Sequence, residues 1–248
     1  MTKETKKWWE YSSEGYQKEC KIPVEIHYGP GSPNEKHLKL LGNLKNKNVL
    51  EIGCGGAQCG IAMAKQGAKV TGIDISEEQL KFAANLAEKN NVKIKFYQRD
   101  IKDLKPIKSS SQDIVFSAYA LLYIDNIGKC FKEVYRVLKK NGIFVFSLDH
   151  PFFNRINPKT LKVNRSYFKN DKWVETFSDS SKKFVMYTRT ISEIFNYLVE
   201  AGFIVEKIIE PDSRKKYKED VWYGMWNLYT LKFLKMVPPT IIFKVWKK

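Results

Sequence analysis

Long apolar runs and CxxC cysteine pairs are missing from this chain of 248 residues, and no secretion signal is expected. These absences argue against a membrane-spanning, a secreted and a zinc-binding protein. No stretch of about 18 or more apolar residues occurs, so a membrane-spanning helix is not expected. The N-terminal MTKETKKWWE lacks the apolar core of a signal peptide. The hydrophobic fraction of 43% suffices for one domain with a full core, and we expect a soluble cytoplasmic protein.

Metal ligands are also scarce. The four cysteines, at positions 20, 54, 59 and 130, include no CxxC pair, and the three histidines are scattered. No zinc ligand set follows from this spacing. We expect free thiols in a reducing compartment and no bound metal.

Arginine is scarce although the chain is strongly basic. The formal net charge is +16, yet six of the 43 basic residues are arginines and the others are lysines spread along the chain. The planar guanidinium of arginine suits phosphate and base recognition better than an ammonium does. A solvated lysine-rich surface is therefore the first interpretation, and an RNA-binding surface is the alternative.

Short apolar runs alternate with segments of helical periodicity over most of the chain. Alternating strands and helices predict an α/β fold with a doubly wound, largely parallel sheet covered on both faces. Ser76 and Asn90 are expected to begin and end one helix, and Asn141-Gly142 a turn. The predicted strands are 48–52, 69–73, 93–97, 113–117, 143–148, 203–210 and 241–246, and the predicted helices are 57–66, 76–90, 126–139 and 192–201.

Three segments do not fit the alternation. The first 45 residues are rich in aromatic side chains, and 150–190 and 211–239 are too long for ordinary connections. Long inserts at the carboxyl edge of a sheet often cover a site. We therefore expect an N-terminal cap over residues 1–45, and a main domain over 46–248 with inserts at about 150–190 and 211–239.

A glycine-rich stretch, VLEIGCGGAQCG from Val49 to Gly60, follows the first predicted strand. A strand that ends in glycines and opens a helix places free N–H groups beside a ligand. The nicotinamide pattern G-x-G-x-x-G is broken, since Gln58 stands at the third glycine. Asp74 ends the next strand and suits both hydroxyls of a ribose. A nucleotide-like ligand is predicted here.

Five motifs in order, VLEIGCGGAQCG, VTGIDIS, YQRDI, DIVFSAYALLYI and EVYRVLKKNGIFVFS, resemble the class I S-adenosylmethionine-dependent methyltransferases. The similarity is to the small-molecule type related to ubiquinone and menaquinone biosynthesis enzymes. It covers about 48–151, and the final PPTIIFKVWKK resembles the family's antiparallel last strand. The resemblance implies a Rossmann-like seven-stranded sheet of order 3-2-1-4-5-7-6, with S-adenosylmethionine as cofactor.

The resemblance also implies cofactor contacts. Gly53 and Gly55 would admit the methionine part of the cofactor, Glu51 would order the loop or meet the amino group through water, and Asp74 would bind the ribose. The other expected contacts are Ile75 and Gln79 beside the adenine, Asp100 and Ile101 at its amine and ring, Ser117 and Ala118 beside the methionine, Cys54 in the loop, and Tyr28 closing over the cofactor.

An acidic nucleophile needs a base, and His150 in SLDHPFF follows the fifth predicted strand of the sheet. Histidine has an ordinary pKa suited to this task, which makes His150 the catalytic candidate. The alternative is a hydrogen-bonded histidine that orders the turn before Pro151. Asp149 and Tyr119 are the lesser candidates.

The cofactor that the resemblance implies carries an activated methyl group, so we expect its transfer by direct in-line displacement. The aromatic residues of the three segments favour a small, partly apolar or aromatic acceptor. Trp222, Tyr223 and Trp226 could equally be core residues. One alternative is a tRNA or rRNA methyltransferase using the basic surface, although the fourth strand ends in FSAY rather than Pro-Pro-aromatic. A non-catalytic cofactor-binding partner protein is the other.

Overall fold

The computed structural model describes residues 2–169, 172–176, 183–212 and 231–248. Trp222, Tyr223 and Trp226, expected either beside the acceptor or in the core, lie outside this part of the chain. The helices are α1 Lys3–Cys20, α2 Glu35–Leu38, α3 Gln58–Lys65, α4 Glu77–Lys89, α5 Ile127–Val137, α6 Ile191–Glu200 and α7 Leu231–Leu234. The strands are β1 Asn48–Ile52, β2 Lys69–Asp74, β3 Lys95–Gln98, β4 Gln112–Ala118, β5 Leu138–Asp149, β6 Lys172–Thr176, β7 Lys183–Tyr187, β8 Phe203–Ile209 and β9 Thr240–Lys247.

Seven strands form the main sheet in the order β3-β2-β1-β4-β5-β9-β8. β1 to β5 pair in parallel, whereas β9 pairs antiparallel with both β5 and β8. β6 and β7 form a separate antiparallel hairpin. Without that hairpin the order is 3-2-1-4-5-7-6, so the predicted α/β fold is confirmed.

The sheet is buried on both faces, which explains its continuous apolar strands. One face packs Phe131 of α5 and Leu198 of α6 against Phe146 and Phe243. The other face packs Met63 of α3 and Tyr28 against Phe116. This layering leaves the carboxyl ends of the parallel strands as the open edge of the sheet.

Local signals located several element ends correctly. The Ser76 hydroxyl accepts from the Gln79 backbone N–H, and Asn90 is the C-cap of α4, as predicted. The predicted turn at Asn141-Gly142 is instead an irregularity inside β5. Asn141 has φ +63°, and the pairing of β4 with β5 shifts register there. Twelve residues of continuous β5 therefore bring Asp149 to the open edge.

The N-terminal segment contains an 18-residue helix, α1, which begins at the side-chain cap of Thr2. α1 packs against α4 and against β7 of the hairpin, across the open edge of the sheet. In the described part of the chain, no helix combines the length and apolar character needed to cross a membrane. All four cysteines are free thiols buried in the fold.

Candidate active site

A cavity of about 840 Å³ lies between the carboxyl edge of the sheet and α1. The loop after β1 forms its floor, and α1, the turn after β4 and the β6–β7 hairpin form its other walls. Eight of the predicted cofactor contacts line it, namely Glu51, Gly53, Cys54, Gly55, Asp74, Ile75, Gln79 and Ala118. Residues predicted from separate motifs are thus brought to one site.

The loop after β1 has a conformation that requires glycine. Gly53 has φ +65°, and a Cβ there would lie 2.1 Å from the Cβ of Ala120. The backbone N–H groups of Gly53 and Cys54 donate to the Ile73 carbonyl at 2.7 and 3.0 Å. β2 therefore fixes the loop, and its missing side chains leave backbone exposed to a ligand.

Glu51 projects from β1 under this loop and is buried. Its Oε2 has no hydrogen-bond partner. A Cβ at Gly60 would lie 2.4 Å from that oxygen, so glycine in α3 makes room for the carboxyl group. Burial raises the pKa of Glu51 to about 8, the Gly60 N–H opposes the rise, and the charge of Asp74 adds to it. An ammonium group of a ligand would satisfy this oxygen.

Asp74 ends β2 on the opposite side of the loop. Its Oδ2 accepts from the Gly55 backbone N–H at 2.9 Å, and its Oδ1 accepts from the Ser76 N–H at 2.9 Å. Burial raises the pKa of Asp74, while these backbone hydrogen bonds lower it. Each carboxylate oxygen keeps a further acceptor site, so the group can still receive hydroxyl donors.

α1 is held over the cavity by a chain of buried amides that the sequence did not reveal. Gln58 Nε2 donates to Gln17 Oε1 at 2.7 Å, and Gln17 Nε2 donates to Gln79 Oε1 at 2.8 Å. Glu10 accepts from the Glu77 and Glu78 N–H groups at 3.0 and 3.2 Å, at the positive end of α4. Gln58 stands where the nicotinamide pattern has its third glycine. That departure was the only feature of the sequence that pointed to a buried amide here.

Aromatic rings from three elements line the cavity beyond the glycine loop. Trp9 of α1 lies edge-on to Tyr123, with ring centroids 5.3 Å apart, and Tyr123 lies edge-on to Phe184 of β7 at 5.5 Å. Trp8 meets Phe184 at 5.5 Å. Aromatic residues of α1 thus lie on one side of the cavity, and the hairpin contributes the facing wall.

Asp149 lies in this aromatic part of the cavity, at the end of β5. Its Oδ2 accepts from Asn154 Nδ2 at 3.1 Å. Burial raises the pKa of Asp149 to about 6, and Asn154 and Tyr119 oppose the rise. Tyr119 has φ +59°, and its hydroxyl is hydrogen-bonded to Thr240. A partly exposed carboxylate in the cavity wall can bind or deprotonate an acceptor.

His150 follows Asp149 but does not line the cavity. Its Nδ1 accepts from the Phe152 backbone N–H at 3.2 Å, and its Nε2 lies 2.7 Å from Glu210 Oε1. Since Nδ1 accepts, the proton belongs on Nε2, which donates to Glu210. Both ring nitrogens are occupied in ordering the turn before Pro151. This geometry matches the structural alternative, and the catalytic role of His150 stays a prediction.

Four predicted cofactor contacts also lie away from the cavity. Tyr28 is fully buried against Phe116, and its hydroxyl donates to Glu35. Ser117 is buried and donates to the Ile52 carbonyl at 3.0 Å. Ile101 packs in the core, and Asp100 accepts from the Lys102 backbone N–H at 2.9 Å. These residues are placed to support the site from behind or beside it.

The sheet order, the antiparallel β9, the glycine loop after β1 and the acid at the end of β2 define a class I S-adenosylmethionine-dependent methyltransferase. The unsatisfied oxygen of Glu51 and the exposed loop backbone fit the amino-acid part of that cofactor. A family model described as a methyltransferase domain matches residues 43–205, more than half of the chain. The chain belongs to this family and is a methyltransferase that uses S-adenosylmethionine.

Individual relatives agree with this assignment. The chain is 25% identical over 203 residues to the ubiquinone biosynthesis O-methyltransferase of Rickettsia canadensis, covering 81% of this chain and 79% of the relative. It is 29% identical over 214 residues to an uncharacterized protein of Haemophilus influenzae, covering 79% and 82%. A solved structure from Listeria monocytogenes, described as an S-adenosylmethionine-dependent methyltransferase, has a TM-score of 0.69 at 26% identity, covering 86% of this chain and 96% of that one.

Proposed function

We propose that the protein transfers the methyl group of S-adenosylmethionine to a small, partly apolar or aromatic acceptor by direct in-line displacement. The observation that carries this proposal is the single cavity that joins the glycine loop to the aromatic walls around Trp9 and Phe184. The relative from Rickettsia canadensis, named as acting in ubiquinone biosynthesis, supports a small acceptor.

Within this proposal, the chain's own groups bind the cofactor along the sheet edge. Glu51 receives the ammonium of the methionine part, and the backbone of Gly53, Cys54 and Gly55 lies against the rest of it. Asp74 accepts from the ribose hydroxyls. Ile75 and Gln79 flank the adenine, and Ala118 lies beside the methionine part. All of these residues line the cavity.

The cofactor supplies an already activated methyl group when it is bound. The protein therefore has to align the acceptor and exclude water. Correct orientation alone can contribute on the order of 7–11 kcal/mol to lowering the barrier. The amide chain through Gln17 holds α1 across the opening, which serves both tasks.

A first prediction tests the cofactor site directly. S-adenosylhomocysteine should bind in calorimetry, and NAD should not. The Asp74→Ala variant should bind S-adenosylhomocysteine about 10- to 100-fold more weakly than wild type does, because the ribose diol loses a charged acceptor. Glu88→Gln is the matched control, since Glu88 is an exposed acid of α4 outside the cavity. Unchanged affinity in Asp74→Ala would refute the ribose role, and tight NAD binding would refute the cofactor assignment.

The RNA alternative receives less support from the site. The observation in favour of RNA as the acceptor is the net charge of +16. Among the described residues that line the cavity, however, there is no lysine or arginine to meet a phosphate. A small acceptor that enters between aromatic rings fits this lining better than a polyanion does.

A further inference from the structure

The cavity has a charge opposite to that of the molecule. The chain has 43 basic and 27 acidic residues, yet the described residues of the cavity lining include six carboxylic acids and no lysine or arginine. The histidine in the lining, His27, is neutral near pH 7 because burial lowers its pKa to about 4. This local charge selects for a neutral or cationic ligand and against an anionic one.

The cofactor accounts for only part of this charge. Glu51 and Asp74 lie at the glycine loop, where the preceding proposal places the cofactor. The other four acids lie beyond it, with Asp149 inside the cavity and three exposed at its rim, namely Glu14, Glu19 and Glu175. The rim acids are screened by solvent, so Asp149, which lines the cavity and is only partly exposed, dominates the acceptor side.

The same part of the cavity is walled by aromatic rings set steeply to one another. The interplanar angle is 82° for Trp9 and Tyr123, 68° for Tyr123 and Phe184, and 64° for Trp8 and Phe184. Rings at such angles present both faces and edges to the enclosed space. Ring faces attract cations within about 6 Å, and most strongly where water is excluded.

We propose that the acceptor is an amine on an aromatic or aliphatic group, bound as its ammonium form between these rings, with Asp149 as the residue that binds the ammonium and takes its proton. This inference rests on the proposed methyl transfer and narrows its acceptor class to nitrogen. A carboxylate and an array of ring faces around one cavity is the combination that recognises an organic ammonium ion.

The proposed step balances in charge and atoms. The Asp149 carboxylate accepts one N–H proton, which leaves a neutral amine with a lone pair. That lone pair forms the new N–CH3 bond as the CH3–S bond breaks, and the electron pair of the broken bond stays on sulfur. The positive charge moves from sulfur to nitrogen, and loss of a further N–H proton to solvent gives the neutral methylated amine. The Asp149 carboxylate and the rings stabilise the ammonium before transfer. After transfer the ring faces stabilise the methylated cation, and Asp149 releases its proton to solvent. A phenolate would instead be repelled by Asp149.

The test uses the full-length protein saturated with S-adenosylhomocysteine and three probes that share one ring and differ at the chain end. These probes are phenethylamine, phenethyl alcohol and hydrocinnamate, titrated by calorimetry. Phenethylamine should bind at least about tenfold more tightly than hydrocinnamate, with the alcohol between them. Equal or tighter binding of hydrocinnamate, or no binding of the amine up to its solubility limit, would overturn the inference.

Two variants test whether the preference for phenethylamine arises in the cavity. Asp149→Asn should weaken phenethylamine about 10-fold or more while changing phenethyl alcohol less than about twofold, because only the ammonium needs the charge. Phe184→Leu should weaken the amine about three- to tenfold through the lost ring. The controls are Glu88→Gln and Phe82→Leu, an exposed acid and a partly exposed ring of α4 outside the cavity. Each variant must retain S-adenosylhomocysteine binding, which reports correct folding.

Methylation assays with labelled cofactor separate the two proposals. Transfer to phenethylamine or a longer arylalkylamine that depends on Asp149 supports the inference. Transfer to catechol but to no amine would overturn the inference and leave the proposed function intact. Failure of S-adenosylhomocysteine to bind would overturn both.

Discussion

Glu51 is a carboxylic acid enclosed by the glycine loop and α3, and its burial makes folding stability depend on pH. Burial raises its pKa to about 8, from about 4.3 for an ordinary glutamate. Below about pH 4.3 the group is protonated in both the folded and the unfolded chain, so its contribution to stability is fully present. As the pH rises toward 8, the unfolded chain loses this proton while the folded protein retains it, and stability is lost.

Glu51→Gln should therefore stabilise the ligand-free protein in a pH-dependent way. The difference in melting temperature between Glu51→Gln and wild type should grow from pH 4.5 to about 8 and then level off, because glutamine does not titrate. Each kcal/mol recovered should raise the melting temperature by roughly 2–4 °C for a chain of this size. Thermal melts across this range measure it, with Glu88→Gln as an exposed control. A difference that stays constant with pH would contradict the buried-acid account.

Single residues were predictable where a local rule constrains them. Gly53 and Asp74 follow from the strand–loop–helix pattern, since close backbone approach requires glycine and strand ends converge at one edge. His150 was predicted from proximity in sequence, but the direction of its ring depends on Glu210 and on the backbone of Phe152. Asp149, the last residue of β5, lines the cavity, whereas His150 lies past the end of the strand with its ring beside Glu210.

Among the elements, helices with caps were predicted closely, whereas α1 was expected only as an aromatic cover. Its helix begins at Lys3, with Thr2 as the side-chain cap. Its position depends on contacts distant in sequence, above all the amides of Gln17, Gln58 and Gln79. No local periodicity encodes such pairing. The β6–β7 hairpin was missed for the same reason.

Removing the central amide, that of Gln17, from the hydrogen-bonded series Gln58–Gln17–Gln79 should loosen α1. Gln17→Leu should weaken binding of S-adenosylhomocysteine about fivefold or more and speed hydrogen exchange in α1, because the Gln58 and Gln79 amides each lose a buried partner. A buried unsatisfied polar group costs about 1–3 kcal/mol.

Hydrogen exchange followed by mass spectrometry and calorimetry measure both effects. Lys18→Ala is the control, because Lys18 is exposed one residue along α1 and pairs with the exposed Glu14. Exchange in α1 that is as slow in Gln17→Leu as in wild type would show that the aromatic contacts alone hold the helix.

For the whole molecule, alternation of strands and helices predicted the sheet, while the family resemblance was needed for the antiparallel β9. An antiparallel strand and a parallel one have the same apolar pattern when both faces are buried, so periodicity cannot distinguish them. The shape of the cavity could not be predicted from the sequence, because the cavity forms only when α1, the sheet edge and the hairpin come together from three distant segments.

The net charge of +16 was predicted to reflect a lysine-rich surface and not a dedicated nucleic-acid site. Dispersed lysines bind polyanions through counterion release, without contacts that distinguish bases. RNA binding should therefore be weak, similar for unrelated sequences, and reduced by a factor on the order of 10³ or more between 50 and 200 mM salt if six or more phosphates are neutralised. Fluorescence anisotropy with a tRNA and with poly(U) across this salt range measures it, and S-adenosylhomocysteine binding in the same buffers controls for folding. Tight binding of one RNA that persists at 200 mM salt would instead favour the RNA methyltransferase alternative, since only specific contacts survive when released counterions no longer drive association.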